Sequence, residues 1–423
     1  MLSGIKQAFK IKELRKKIIF TVLMILVFRL GATIPVPGIN TSVIKQLVSG
    51  NSLLSLYNLF TGGAFSQFTL FALGIGPYIT ASIIIQLLTI GFESLAELQK
   101  SGEEGKKKMS QYTKYTALGL AILQATGITL GVIRSALVDS SWFFILTVIV
   151  TLVSASMLLM WIGDKITEKG IGNGSSVIIF IGIVSRIPTD AIAITNQVTS
   201  KQIAPWMAIV VVAVVLITMV GVTYIQEATR KIPVQYAKRV VGRKMYGGQS
   251  SHIPMKVNQS GVIPIIFASS FLAFPQTLAL FMGTKVQNFV QQYLSVSTEP
   301  GFWIYRSLEV VLIVAFSYFY TAVSFNTEDI SKNMKNNGGF IPGIRPGQPT
   351  IAYLNRILSR ITLAGATFLA IIALIPAFMT HYMKIQMSLA GTSLLIVVGV
   401  ALELKRQLES NLVMRSYQGF LNK

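Results

Sequence analysis

A chain of 423 residues with 52% hydrophobic and only 13% charged side chains carries about half the charged fraction of an ordinary soluble domain, and so reads as a polytopic membrane protein. It has no cysteine, which excludes disulfides, thiolate nucleophiles and cysteine-ligated metals. A formal net charge of +21, from 37 basic and 16 acidic residues, points to anionic lipid, RNA or an acidic partner, with the distribution of charge mattering more than its total.

In chain order, residues 1–17 form a basic amphipathic segment carrying Lys6, Lys10, Lys12, Arg15, Lys16 and Lys17. This pattern anchors a chain on the cytoplasmic face of a membrane. The apolar run behind it is long and has no small-residue cleavage site, unlike a cleavable signal. Apolar runs lie at about 18–34, 68–90, 115–133, 142–162, 175–187, 203–225, 261–283, 303–325, 357–379 and 387–402, which makes ten candidate spans. The fifth and tenth fall short of the about 20 residues that cross a bilayer, so other helices must shield them from lipid.

The stretch Ser52–Ile90 departs from this pattern. Leu53, Leu54, Leu56, Leu59 and Phe60 are mixed with Ser, Asn and Tyr, and Gly62 and Gly63 then interrupt the run. This predicts a short helix that does not span, hinged to one that does from about Phe68. Non-helical backbone inside a bilayer persists only where protein or water covers it, so the segment belongs in a cavity.

An even number of spans puts both termini on one side. With the N-terminus in the cytoplasm, 29 of the 37 basic residues fall in inside segments, an asymmetry that sets the orientation. Arg29, near the outer end of the first run, is expected to snorkel to the interface rather than bind substrate. Two inside loops are long. Glu227–Gln259 alternates Ile, Val and Tyr between Gly-rich turns and predicts a hairpin; Asn326–Asn355 is rich in Gly and Pro and predicts irregular backbone. Both exceed what orientation requires. They read either as a docking surface for a large partner or as solvated linker.

Five spans and five spans contain a repeat. Gly74-Ile-Gly-Pro77-Tyr-Ile79-Thr-Ala81-Ser82 and Gly261-Val-Ile-Pro264-Ile-Ile266-Phe-Ala268-Ser269 both fit G-x-x-P-x-I-x-A-S. Gly174-Ser-Ser176-Val-Ile-Ile179-Phe-Ile-Gly182 and Gly391-Thr-Ser393-Leu-Leu-Ile396-Val-Val-Gly399 both fit G-x-S-x-x-I-x-x-G. Both pairs are offset by five spans, an odd number, so the repeats have opposite topology. Inverted repeats place the working site at their interface, flagged by short or Gly/Pro-interrupted segments. Spans two, five, seven and ten would then line a central path faced by Ile79, Ile179, Ile266 and Ile396. On the pattern alone these residues could equally be ordinary packing positions.

Acidic residues are missing from the span centres, with Glu309 and Glu403 near ends. Ion-coupled transporters keep ionisable groups near the midplane. A P-loop lysine, HExxH and GxSxG are all lacking, and His252 and His381 fall in loops on opposite sides. No catalytic residue, metal or cofactor is expected. A secondary transporter shares ten spans and inverted repeats, but needs polar coordination where this chain has isoleucine. A ribosome scaffold would explain the basic loops but not the hinged half-helix.

The segments LFTGGAFSQFTLFALGIGPYITASIIIQLLT, GIGNGSSVIIFIGIV, GVIPIIFASSFLAFP, GGFIPGIRPG and GTSLLIVVGV resemble the SecY/Sec61-alpha family of protein-translocation channels, in order and over essentially the whole chain. The resemblance implies an all-α polytopic membrane protein, with ten transmembrane helices in two inverted five-helix halves (residues 1–190 and 191–423) around a central pore. It implies a constriction ring of Ile79, Ile83, Ile179, Ile183, Ile266 and Ile396. Such a ring of β-branched apolar side chains dewets the pore against ions. It implies a plug over about residues 53–67, including Leu54, Leu56, Tyr57, Leu59, Phe60, Gly62, Gly63 and Phe65. It implies a lateral gate between spans two and three on one side and seven and eight on the other, with Phe274 at a gate position. Thr80, Ser82 and Gln124 would close that gate by interhelical hydrogen bonds worth about 0.6–2 kcal/mol each.

By the same resemblance, Arg243, Lys244 and Arg345 on the two long loops dock the ribosome (rRNA phosphates) or the SecA motor ATPase. Lys244 stands where the family has Arg and lacks the fork for bidentate recognition; Arg345 keeps the planar fork suited to phosphate or carboxylate. Further implied partners are the small subunits SecE and SecG, signal peptides and nascent chains, and anionic lipids. The implied location is the bacterial cytoplasmic membrane, with both termini cytoplasmic.

Overall fold

The computed structural model describes residues 9, 11–50, 58, 61–139, 141–236, 239–241, 244–246, 250–279, 282–296, 298–383 and 392–421. Fifteen helices are described: α1 Lys12–Gly31, α2 Thr41–Gly50, α3 Gly76–Gly91, α4 Glu93–Lys100, α5 Gly102–Gly127, α6 Trp142–Lys169, α7 Gly174–Val184, α8 Ile187–Thr199, α9 Pro205–Glu227, α10 Ile263–Ala279, α11 Gly283–Tyr293, α12 Glu299–Ser324, α13 Thr327–Asn336, α14 Gln348–Met383 and α15 Thr392–Leu421. Their starts follow from local chemistry. Ser141 Oγ accepts from the Phe144 amide, and Asn173 Oδ1 from the Ser176 amide at 3.3 Å, capping α6 and α7. Proline occupies the first turn of α3, α8, α9 and α12, where its missing N–H costs nothing.

All ten apolar runs contain helix. Among the described residues five stretches are long and apolar enough to cross a membrane unaided: Trp142–Lys169, Gly174–Thr199, Pro205–Glu227, Glu299–Asn336 and Gln348–Met383. Helices α3 and α4 form a sixth candidate, bent by 111°. Along α9, Ile209, Leu216, Ile217 and Val220 are exposed, a stripe suited to lipid. Trp142, Trp206 and Trp303 are exposed in the first turns of α6, α9 and α12, and Tyr382 at the end of α14. Alternation of the spans puts all four on one side, as an aromatic belt.

The second run differs from its expectation. It is not helical from Phe68: residues 61–75 are turns, and helix begins only at Gly76. Phe68 has φ of 43° and Gly74 of 59°, left-handed values that a right-handed helix cannot contain. The extended part is tied instead to the α1–α2 connection. The Val36 amide donates to the Phe68 carbonyl at 2.9 Å and the Leu70 amide to the Ile34 carbonyl at 3.0 Å. As a result α3 has only 16 residues; α10 has 17 and α7 has 11. Each is shorter than the roughly 20 residues of a free span, and each packs inside the bundle.

On the loop side the expected hairpin forms. Strand β1 Thr229–Tyr236 pairs antiparallel with β4 Ser250–Lys256, in register from Thr229↔Lys256 to Gln235↔Ser250, and β2 Arg239–Val241 pairs with β3 Lys244–Tyr246. The second loop is less irregular than expected. It contains α13, capped by Asn326 Oδ1, and β5 Gly339–Phe340, which pairs with β1. Irregular backbone is confined to its Gly/Pro end, where Gly338, Gly343 and Gly347 all have positive φ. The two loops therefore share one sheet, ordered β4-β1-β5, and one core with Ile232, Val234, Met255, Met334 and Ile341.

Candidate pore, plug and gate

The repeat motif has a structural counterpart. Gly74 and Gly261 take φ of 59° and 65°, and each precedes a helix that starts two residues later with a proline in second place. Glycine is the residue that tolerates this conformation. The second motif places Ser176 and Ser393 in buried positions. Its terminal glycines, Gly182 and Gly399, make room for other chain: Gly62 approaches Gly182, and a β-carbon at Gly399 would strike the Val262 side chain.

These helices bring most of the nominated isoleucines together. Ile179 and Ile183 from α7, Ile266 from α10 and Ile396 from α15 are buried in one apolar cluster with Ile75, Ile178, Val262 and Val397, and Ile79 of α3 packs against it. Ile83 does not join them. One turn further along α3, it is buried in the neighbouring cluster with Ile265, Phe267, Leu394 and Leu395, which Ile79 also touches. Among the described residues, Ile79 thus packs against both apolar clusters.

Beside Ile79 lies a small cavity of about 60 Å³, lined by Thr61, Gly74, Ile75, Ile79, Thr80, Gln124, Ile179, Ser270, Ala273 and Phe274, together with Leu73 and Gly76. It joins residues from α3, α5, α7 and α10 with the glycine loop, and it holds no ionisable side chain. Three of the four nominated gate residues line it; Ser82 does not. The expected hydrogen bonds across the seam are not made among the described residues. Ser82 Oγ accepts from Gln86 Nε2 of its own helix at 3.1 Å, and Gln124 Oε1 is buried with no partner. The reason is spacing: Ser82 and Gln86 are four apart on one helix face and meet each other first. Phe274 is followed by Pro275 inside α10, which removes one backbone hydrogen bond from the helix at the seam.

Of the nominated plug residues, Leu54, Leu56, Tyr57, Leu59 and Phe60 lie outside the described residues. Gly62 and Gly63 have φ of 64° and 90°, the left-handed backbone expected of a sharp turn. Phe65 is fully buried with Phe68, ring centroids 6.0 Å apart, in an apolar cluster with Val36, Ile44, Ile133 and Leu152. Sequence reasoning missed the group that organises this turn. Asn58 is buried; its carbonyl accepts from the Gly63 amide at 2.9 Å and from Arg186 Nη1 at 3.2 Å, and its Oδ1 accepts from the Ser66 amide at 2.8 Å. Arg29 was expected to snorkel; instead its Nη1 donates to Ser185 Oγ at 2.9 Å.

On the loop platform Arg345 is exposed, and its carbonyl accepts from Thr350 Oγ1 at 2.9 Å. Lys244 opens β3, and Arg243 lies outside the described residues. The platform's base is tied to α15: Lys405 Nζ lies 3.1 Å from Glu227 Oε1 and Arg406 donates to the Gln226 carbonyl, while Gln407 of the same helix accepts from the Gly172 amide of the α6–α7 connection. Partial burial, then the neighbouring Arg406, lower the Lys256 ammonium from its ordinary pKa. The same helix, α15, carries Ile396 at its other end.

The family model for SecY matches residues 69–405. The chain belongs to the SecY family. It is 45% identical to the protein translocase subunit SecY of Streptomyces galbus over 442 residues, covering 100% of both chains. Among solved structures it shares its fold with one described as a protein conducting channel (TM-score 0.71, 20% identity, 94% of this chain and 92% of that one). It also shares it with Sec61 in the canine ribosome-channel complex from the endoplasmic reticulum (TM-score 0.67, 18% identity, 94% and 92%). SecY-family membership and the buried isoleucine cluster rest on different observations, one on sequence and one on packing.

Proposed function

We propose that this chain is the protein-conducting subunit of a Sec translocase. It passes unfolded polypeptides through a path lined by α3, α7, α10 and α15, and releases apolar segments sideways between α3 and α10. The observation that carries this reading is the convergence of Ile79, Ile179, Ile183, Ile266 and Ile396 in a SecY-family chain, with the turn around Gly62 seated beside them. An apolar ring makes no specific hydrogen bonds, so it accepts any extended chain and excludes ions when closed. The neighbouring cavity has no ionisable lining residue, which a coupled small-solute transporter would need.

In this reading residues 1–190 and 191–423 are the two halves of the clamshell, and residues 53–67 are the plug. Thr80, Ser82, Gln124 and Phe274 belong to the gate, and Ile83 backs the ring from the adjoining cluster. Arg345, with Arg243 and Lys244, faces a cytoplasmic motor such as SecA or the rRNA phosphates of a ribosome, as the channel in the canine complex faces its ribosome. SecE, SecG and anionic lipids complete the assembly in a bacterial cytoplasmic membrane, with both termini inside.

The test is a stalled secretory chain carrying a photo-crosslinker, run on the assembled translocase. Labelling at Ile79 and Ile266 is expected; labelling confined to lipid-facing positions on α9 would overturn the reading. Deleting residues 54–67 should raise resting ion leak in reconstituted vesicles, and an unchanged leak would remove the plug assignment.

A further inference from the structure

We infer that Arg186 is a positioning residue that latches the plug turn to the outer end of α7. The inference rests on the reading of residues 53–67 as a plug. Arg186 follows α7 directly and lies 128 residues from Asn58 in sequence, yet its Nη1 donates to the Asn58 carbonyl at 3.2 Å. That carbonyl also accepts from the Gly63 amide at 2.9 Å and from Thr61 Oγ1 at 3.2 Å. Three further hydrogen bonds of the turn are local: Ser66 N to Asn58 Oδ1, Ser66 Oγ to the Gly63 carbonyl, the Phe65 amide to Thr61 Oγ1. Those bonds move with the turn. The bond from Arg186, by contrast, ties the turn to the end of α7.

At the seat beneath the latch Gly62 meets Gly182 backbone to backbone, and the turn's side-chain packing comes from Phe65, buried in the neighbouring apolar cluster. Arg29 braces the seat from the other side: its Nη1 donates to Ser185 Oγ, which donates to the Gly182 carbonyl at 2.8 Å. A charged donor makes a stronger hydrogen bond than a neutral one. One half-buried guanidinium can therefore add to the hold that the buried Phe65 gives the turn. The alternative is that Arg186 only terminates α7; it would then have no effect on the turn's exposure.

The absence of native cysteine makes the test direct. Ser66→Cys places one thiol in the half-buried turn of the assembled translocase in vesicles, and an impermeant maleimide added from outside reads its exposure. Arg186→Gln, which removes the charge and the reach, is expected to speed labelling about tenfold, equivalent to about 1.4 kcal/mol. It should also raise resting leak and admit precursors with weakened signals. Arg186→Lys, which keeps the charge without the fork, should fall between. Parent-like labelling in an assembled Arg186→Gln complex overturns the latch; should that variant fail to assemble, parent-like labelling in Arg186→Lys does so. The plug reading fails separately, by an unchanged leak on deleting residues 54–67, and faster labelling in Arg186→Gln would still stand as a tether between the turn and α7.

Discussion

Gly62 lies on Gly182 at backbone distance: a β-carbon added at Gly62 would come within 2.8 Å of both the Cα and the carbonyl oxygen of Gly182. The relationship is not reciprocal. A β-carbon at Gly182 would meet the Gly62 Cα at 3.6 Å, an ordinary contact. Gly62 also has φ of 64°, where a side chain adds strain of about 1–3 kcal/mol. Gly62→Ala should therefore unseat the turn and raise resting ion leak, while Gly182→Ala should leave leak near the parent value. Fluorescent ion-flux assays on reconstituted vesicles compare the two; equal effects would contradict the one-sided geometry.

Ile396 is buried against Ile179, Ile183 and Ile266. Ile396→Asn puts an amide there with no partner, at a cost of about 1–3 kcal/mol, and gives water a foothold in the ring. Raised conductance in planar bilayers is expected. Ile396→Val removes one methyl group and costs about 0.5–1.5 kcal/mol, with little added conductance. If the valine variant leaks as much as the asparagine one, ring volume rather than polarity controls the seal.

Gln124 Oε1 is buried without a partner beside the cavity. Replacing the side chain by leucine removes an unsatisfied acceptor, relieving about 1–3 kcal/mol of desolvation, and keeps the apolar contacts. Gln124→Leu should raise the melting temperature of the resting channel and slow export of precursors with weak signals. A lower melting temperature would show that the amide has a partner in the assembled complex.

Arg345 stands exposed on the shared platform of the two loops, apart from the ring. Arg345→Glu should depress motor- or ribosome-driven export at least tenfold without changing resting leak, since the reversed charge repels phosphate or carboxylate. Export assays with and without the motor separate docking from conduction. Full export by the variant would assign docking to the β2–β3 hairpin.

The sequence by itself determined the helical runs, because hydropathy and the 20-residue length of a bilayer are properties of consecutive residues. It also determined the hairpin Thr229–Lys256, from alternation, and the repeat, whose glycines Gly74 and Gly261 need the same left-handed φ. It pointed to isoleucines that the structure brings together, since a motif position repeated at the same offset faces the same way. Tertiary structure alone decided the rest. Residues 68–75 are apolar enough for helix, but pairing of Phe68 and Leu70 with the α1–α2 connection and left-handed φ at Phe68 and Gly74 hold them in turns. Ser82 satisfies itself on its own helix, leaving Gln124 alone at the seam. Ile83 turns to a different cluster from Ile179. Arg186 reaches a carbonyl 128 residues away. Hydrophobic pattern specifies which face is buried; which partner that face meets depends on how distant helices dock, and that information is not local to any stretch of the chain.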